Sequence, residues 1–355
     1  MAADKQQLYQ TYQERIISAR RNQSSLLICG GNTKSFYGRK ISGDYLDTTA
    51  CNGIIAYEPT ELVITAYAGT PISEIIKVLE SQGQMLAFEP PAFGYAATLG
   101  GVVASGLSGP RRPYSGAVRD YVLGLKCING RGEIMTFGGQ VMKNVAGYDV
   151  SRLMAGAMGT LGLMLEISLK VLPKPEYELT LVRRTDFETA LVTMHEYATQ
   201  PLPLSAACYD GDSLYVRLSG KRVVVEHTRD QLGLDEYPEP EYWCNLNEQQ
   251  LDYFRSDETL LWRISVPSNT PPLPFHGKWF IDWGGSLRWC KTNEDAQKIR
   301  NHVEAVGGHA TIFRNDVVDD VFHPLPDSIK QIHTRLKYAF DPDKVINPGK
   351  MYQDI

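Results

Sequence analysis

Three stretches of this sequence carry residues small enough, and spaced closely enough, to bring backbone N–H groups against a ligand. The first is Gly30-Gly31-Asn32-Thr33-Lys34, which follows the apolar run SSLLIC at 24–29. Two glycines at a strand end let the backbone approach a ligand without a Cβ in the way, and successive amides in such a turn form an anion-binding nest. A pyrophosphate suits it, with side-chain donors from Asn32 and Thr33 and charge from Lys34. The second stretch, ATLGGVVASGLSG at 97–109, is dominated by Gly100, Gly101, Ala104, Ser105, Gly106, Ser108 and Gly109. A flat ring can lie along such a run with its polar edge facing amides. The third, KNVAGYDVSRLMAGAMGTLG at 143–162, exposes backbone at Gly156, Gly159 and Gly162 and offers Thr160 as a capping hydroxyl. Each stretch taken alone also reads as a tight turn or glycine-rich packing. None is a GxGxxG fingerprint or a Walker A loop.

The elements that must position them follow from periodicity and turn chemistry. Residues 8–21 read as an opening helix, and 24–29 as a short buried strand that feeds the first glycine turn. GIIAY (53–57) and LVITA (62–66) are further strands. Thr70 to Gly83 reads as a helix capped by Thr70, with Pro71 in the first position, Gly83 at the exit and Ile72, Ile75, Ile76 and Leu79 on one apolar face. Residues 121–128 and 134–137 flank Asn129-Gly130, a hairpin signal. Leu163, Leu165, Ile167, Leu169 and Val171 alternate with polar residues, the pattern of a half-buried strand. Pro173 and Pro175 end it, and the chain is expected to divide there: a first domain over 1–175, an α+β domain over 176–310, and a C-terminal segment over 311–355.

Composition narrows the classes. The 355 residues carry a net charge of −5, with 43% hydrophobic and 22% charged, so nothing suggests a nucleic-acid footprint. The six cysteines form no CxxC pair, which leaves no zinc or iron–sulfur spacing. No run of 18 apolar residues and no secretory leader is visible, and a cytoplasmic location is expected, at most peripheral to the membrane through partners.

The three stretches in this order, together with the tail FDPDKVINPGK (340–350), resemble the vanillyl-alcohol-oxidase (PCMH-type) FAD-binding fold, and within it the family of FAD-binding E subunits of bacterial glycolate oxidase. The likeness is strong over 29–173 and in the tail, and faint between. It implies an α+β flavin domain of two subdomains followed by a smaller α+β domain. It implies that Gly30, Gly31, Asn32, Thr33 and Lys34 hold the FAD pyrophosphate. Thr98, Gly100, Gly101, Ser105 and Gly106 would pass the pyrophosphate and flavin, and Gly159, Thr160, Leu161, Gly162 and Leu163 would serve the adenosine side. Asn347 lies in a tail returning to the flavin domain. Where many relatives have Gly-Ser-Glu-Gly-Thr-Leu-Gly, this chain has Gly-Ala-Met-Gly-Thr-Leu-Gly at 156–162.

No histidine precedes His195, so attachment of FAD through a histidine of the first loop is excluded, leaving Cys29 and Cys127 as formal alternatives to a non-covalent flavin. The resemblance also implies partners: a sister flavoprotein subunit and an iron–sulfur subunit, in a complex oxidising glycolate and short 2-hydroxy acids such as D-lactate. Relatives that oxidise hydroxy acids carry an HxGDGN segment, and this chain has none. Its seven histidines are scattered, no catalytic base stands out, and the isolated chain is expected to be slow with glycolate. Arg217, Arg263, Arg288 and Arg314 are equal candidates for holding a carboxylate. A stand-alone FAD oxidoreductase and a structural subunit with a degenerate flavin site remain alternative readings.

Overall fold

The computed structural model describes residues 2–139, 150–255, 259–314 and 320–355. The start of the third glycine-rich stretch, 143–149, therefore lies outside the described residues.

Helix α1 (Ala2–Arg21) buries Tyr9, Tyr12, Ile16 and Ala19, one face of a 3.6-residue repeat, against Leu26, Leu46, Ile128, Leu165 and Ile346. Strand β1 (Leu26–Cys29) pairs in parallel with β2 (Asp44–Asp47). The other edge of β1 takes the C-terminal tail: the Leu26 amide donates to Val345 O, and the Asn347 amide donates to Leu26 O. The tail thus lies beside the strand that leads into the first glycine loop.

Strands β3 (Ile54–Glu58), β4 (Val63–Tyr67), β5 (Val122–Ile128), β6 (Ile134–Gly138) and β7 (Leu163–Lys170) form an antiparallel sheet in the order β3-β4-β7-β5-β6. Helices α2 (Ile72–Glu80) and α3 (Leu99–Ser105) pack on it. Three expectations change in detail. Thr70 does not cap α2, because its hydroxyl is engaged with the backbone of Gly53 and the helix starts behind Pro71. Ile76 faces solvent while Ile72, Ile75 and Leu79 are buried. Strand β7 sits mid-sheet and is covered on both faces: Met164 and Ser168 are buried as well, Ser168 bonded to Thr65 across the ladder. The hairpin exists, but its loop runs from Asn129 to Glu133, with the Asn129 carboxamide accepting from the amides of Arg131 and Glu133.

The second sheet starts at Tyr177. Strands β8 (Tyr177–Arg184), β9 (Leu204–Tyr209), β10 (Ser213–Gly220), β11 (Leu261–Ser265), β12 (Lys278–Asp282), β13 (Leu287–Lys291) and β14 (His309–Arg314), with the short strand Asp235–Glu236, form an antiparallel sheet ordered Asp235–Glu236, β8-β10-β9-β12-β13-β11-β14. The chain is α+β throughout. The expected break at 310 falls inside β14, whose ladder to β11 runs to Arg314. Two-residue alternation sorts the faces. Ala207, Tyr209 and Ile281 pack under α4 (Phe187–Ala198). Ala206, Cys208, Phe280, Trp289 and Phe313 face the first half of the chain, meeting Tyr37, Leu107 and Met158. Polar clamps reinforce that contact: Trp283 Nε1 donates to Gly109 O at 3.0 Å, and the Glu248 carboxylate accepts from the amides of Ala92 and Phe93 at 2.8 and 2.6 Å. No helix among the described residues is long and apolar enough to cross a membrane.

Candidate cofactor site

A trough of about 520 Å³ runs along the end of β1. Nine of the residues that the resemblance assigns to FAD line it: Gly30, Gly31, Asn32, Thr33, Lys34, Thr98, Gly101, Ser105 and Asn347. The first loop leaves the ladder at Cys29, with Asn32 at φ +57°. Along the tail-facing edge of β1 the amides of Leu26 and Ile28 are taken by Val345 O and Asn347 Oδ1. Beyond them, the backbone N–H groups of Gly30, Gly31, Asn32, Thr33 and Lys34 donate to no described residue. Five consecutive free amides beside a trough are the nest a phosphate group needs.

The glycines of this loop are fixed by its fit to the second stretch. A Cβ on Gly31 would lie 1.4 Å from Ala96 O, and one on Gly30 would lie 2.4 Å from Thr98 Oγ1. The steric demand at Gly31 thus comes from protein backbone as well as from any ligand. The side chains of Thr33 and Lys34 are not free donors: both hydroxyl and ammonium donate to Ala92 O, at 2.7 and 3.1 Å. Burial brings the Lys34 ammonium down to about 8, with Glu248 opposing the fall. These two residues therefore contribute amides to the nest and tie its loop to Ala92.

Thr98 caps α3, its hydroxyl accepting from the Gly101 amide at 3.3 Å, and Gly106 ends the helix at φ +67°. Gly100 faces inward on Ala68, so its place is in the packing rather than the trough wall. Gly106 and Ser105 line a second concavity of about 300 Å³, which shares Ser105 and Met158 with the trough.

The third stretch is arranged differently from the expectation. Thr160, Leu161 and Leu163 are buried, and neither they nor Gly159 and Gly162 line the trough. The Thr160 hydroxyl donates to Ala157 O, and its carbonyl accepts from Lys337 Nζ. Gly162 fits under Ile128 O, and Gly159 lies against the Asn347 carboxamide. What reaches the trough from this stretch is Met158, at φ +53°, whose carbonyl accepts from Asn347 Nδ2 at 2.8 Å. Asn347 therefore locks β1 to the third stretch. Sequence reasoning passed over Met158 because it stands where relatives place a polar residue. It also passed over Lys350, which lines the trough and whose ammonium donates to Arg39 O.

Of the two cysteines left open for attachment, Cys127 is fully buried in the first sheet's core, whereas Cys29 lines the trough with its thiol pushed up by burial and by Asp47. The four arginines also separate. Arg217 is paired with Glu89 and bonded to Ser205. Arg288 is fully buried on carbonyls, including those of Gly285 and Pro271. Arg314 lies over Phe36 and Phe93. Only Arg263 of the four lines the second concavity.

A run of strand-end amides without a protein acceptor, beside a trough on an α+β fold, fits a flavin-binding protein of the PCMH type. A family model described as an FAD binding domain matches residues 9–138. Two solved structures of alkyldihydroxyacetonephosphate synthase share the fold, with TM-scores of 0.65 and 0.67 over 95% of this chain and 74% of theirs, at 17% and 16% identity. Glycolate oxidase subunit GlcE of Escherichia coli K12 is 47% identical over 342 residues, 96% of this chain and 97% of that one. The chain belongs to the family of glycolate oxidase subunit GlcE, and its cofactor is FAD. Glycolate oxidase subunit GlcD of Bacillus subtilis is 33% identical over 155 residues, 44% of this chain and 32% of that one. D-lactate dehydrogenase of Anaerostipes hadrus is 32% identical over 166 residues, 45% of this chain and 34% of that one.

Proposed function

We propose that this chain carries FAD non-covalently as one subunit of a glycolate oxidase complex. The complex takes glycolate to glyoxylate, and related short 2-hydroxy acids such as D-lactate to their 2-oxo acids. FAD supplies a two-electron acceptor there, and electrons leave through an iron–sulfur subunit, with a sister flavoprotein as the third member. The complex works in the cytoplasm or at the inner face of the membrane, held there by partners.

The observation that carries this reading is the row of five free amides at Gly30–Lys34 beside the trough. In it the amides hold the pyrophosphate, each charge-assisted bond contributing roughly 1.5–3 kcal/mol. Thr98, Gly101 and Ser105 form the wall along the pyrophosphate and flavin, with Gly106 on the adjoining concavity and Gly100 seating the wall on Ala68. Gly159 to Leu163 act from behind, holding Met158 and Asn347 in place. The functional unit on this reading is 1–175 plus the returning tail.

The test is reconstitution of the complex with and without this chain, read by glycolate-dependent dye reduction. The expected result is full activity with the wild-type chain, and little when it is omitted or replaced by a variant unable to bind FAD. Undiminished activity in a complex whose copy of this chain holds no flavin would overturn the reading.

A further inference from the structure

The second concavity gathers cations that no sequence motif announces. Its wall includes Arg112, Arg263, Trp283 and His309, and it shares Ser105 and Met158 with the trough. Arg112 opens a short helical turn (Arg112–Ser115) just after the second glycine-rich stretch. Arg263 and His309 come from paired strands: β11 and β14 align Arg263 with Thr311 and Ser265 with His309. Arg263 and His309 are thus diagonal neighbours on one face of the sheet. The guanidinium carbons of Arg112 and Arg263 lie 4.3 and 5.0 Å from the centre of the same indole, Trp283.

Neither guanidinium forms an ion pair or donates a hydrogen bond to a described residue. Burial lowers both; Arg263 and Arg119 lower Arg112 further against Asp120, whereas Tyr37 and Asp282 oppose the fall at Arg263. The nearby acids offer limited compensation. The Asp282 carboxyl is pushed up to about 7 by burial and accepts from the Trp283 amide, while Asp120 faces Arg119 at 4.0 Å. His309 is solvent-accessible at the start of β14, on the wall of the concavity. Burial first, then Arg263, His323 and Arg112, pushes its imidazole down to about 4, so near neutrality it is uncharged and one ring nitrogen can accept a proton or hydrogen bond.

We propose that Arg112, Arg263 and His309 form a subsite for a short 2-hydroxy carboxylate on this subunit. The two guanidiniums take the carboxylate, the imidazole accepts from the adjacent hydroxyl, and Trp283 forms the floor. Charge-assisted guanidinium-to-carboxylate contacts are among the stronger forms of small-anion recognition available to side chains. The inference rests on the reading of the chain as the FAD subunit of a 2-hydroxy acid oxidase. It also revises the expectation that the histidines are isolated: His309 is isolated in sequence and not in space.

The test is calorimetric titration of the FAD-loaded full chain with oxalate, glycolate and acetate. Oxalate is expected to bind, and Arg112→Met or Arg263→Met to weaken it roughly ten- to hundredfold. Arg263→Lys should retain part of the affinity. His309→Ala should weaken glycolate and leave acetate unchanged, since acetate has no hydroxyl. Arg222→Met, which removes an exposed partner of Glu226, should change nothing. Flavin occupancy, read from the visible spectrum, verifies that each variant keeps its fold. Oxalate that fails to bind, or binds the arginine variants as tightly as wild type, overturns the subsite. Glycolate turnover by the whole complex is a separate readout. Turnover with KM unmoved by Arg263→Met defeats the subsite alone, whereas oxalate binding without turnover defeats the functional reading alone.

Discussion

At the scale of single residues, position 31 shows how protein backbone and ligand compete for the same demand. A Cβ there would come within 1.4 Å of Ala96 O, so Gly31→Ala must pry the nest loop from the second stretch. Gly83 is the contrast. Its φ is +63°, and a Cβ there would meet open space. Gly83→Ala should therefore lower stability by about 1–2 kcal/mol, the price of a left-handed alanine, with flavin occupancy intact. Gly31→Ala should lose most of its flavin. Denaturant midpoints and visible spectra of the two variants decide it, and a fully occupied Gly31→Ala would place the nest elsewhere. The double glycine was legible in the sequence because backbone access depends on residue type alone. The partners that require it, Ala96 and Thr98, were not, because loop-to-loop contact has no local signature. The same holds for Met158, whose side chain reaches the trough through a positive φ that composition does not announce.

At the scale of elements, the C-terminal helix Asp327–Phe340 (α5) and the tail after it hold the site from behind. Lys337 is buried and donates to Thr160 O, Ile346 O and the Asp341 carboxylate at 2.8, 2.8 and 2.7 Å. Asp341 in turn accepts from the amides of Val345 and Ile346. One ammonium thus joins the helix, the third glycine-rich stretch and the tail that carries Asn347. Lys337→Met keeps the length but leaves Asp341 buried without its counter-charge, which should cost about 3–5 kcal/mol and loosen flavin retention together. Equilibrium unfolding in urea measures it, and an unchanged midpoint would show that the pair contributes nothing net. The strands and α1 were legible from their periods. The third stretch was read as ligand backbone because glycines look alike whether they face a cofactor or a neighbouring strand. Here Gly162 faces Ile128 O.

At the scale of the whole molecule, the two halves of the chain meet across a seam of Tyr37, Leu107, Met158 and Phe313, and Met158 lines both the trough and the arginine-lined concavity. The first half of the chain was readable as a flavin fold because its glycine-rich stretches recur in order. The second sheet was not, since its strands pair far out of sequence order and its site residues meet only through register, as Arg263 and His309 do. On this reading the trough is an FAD site held without a covalent bond. Its most direct test is the visible spectrum of the purified full chain, before and after acid precipitation. The account predicts flavin bands at stoichiometric occupancy, with intact FAD recovered in the acid supernatant. A colourless chain that takes up no FAD on incubation would contradict the site, and flavin that stays with the precipitated protein would contradict non-covalent binding.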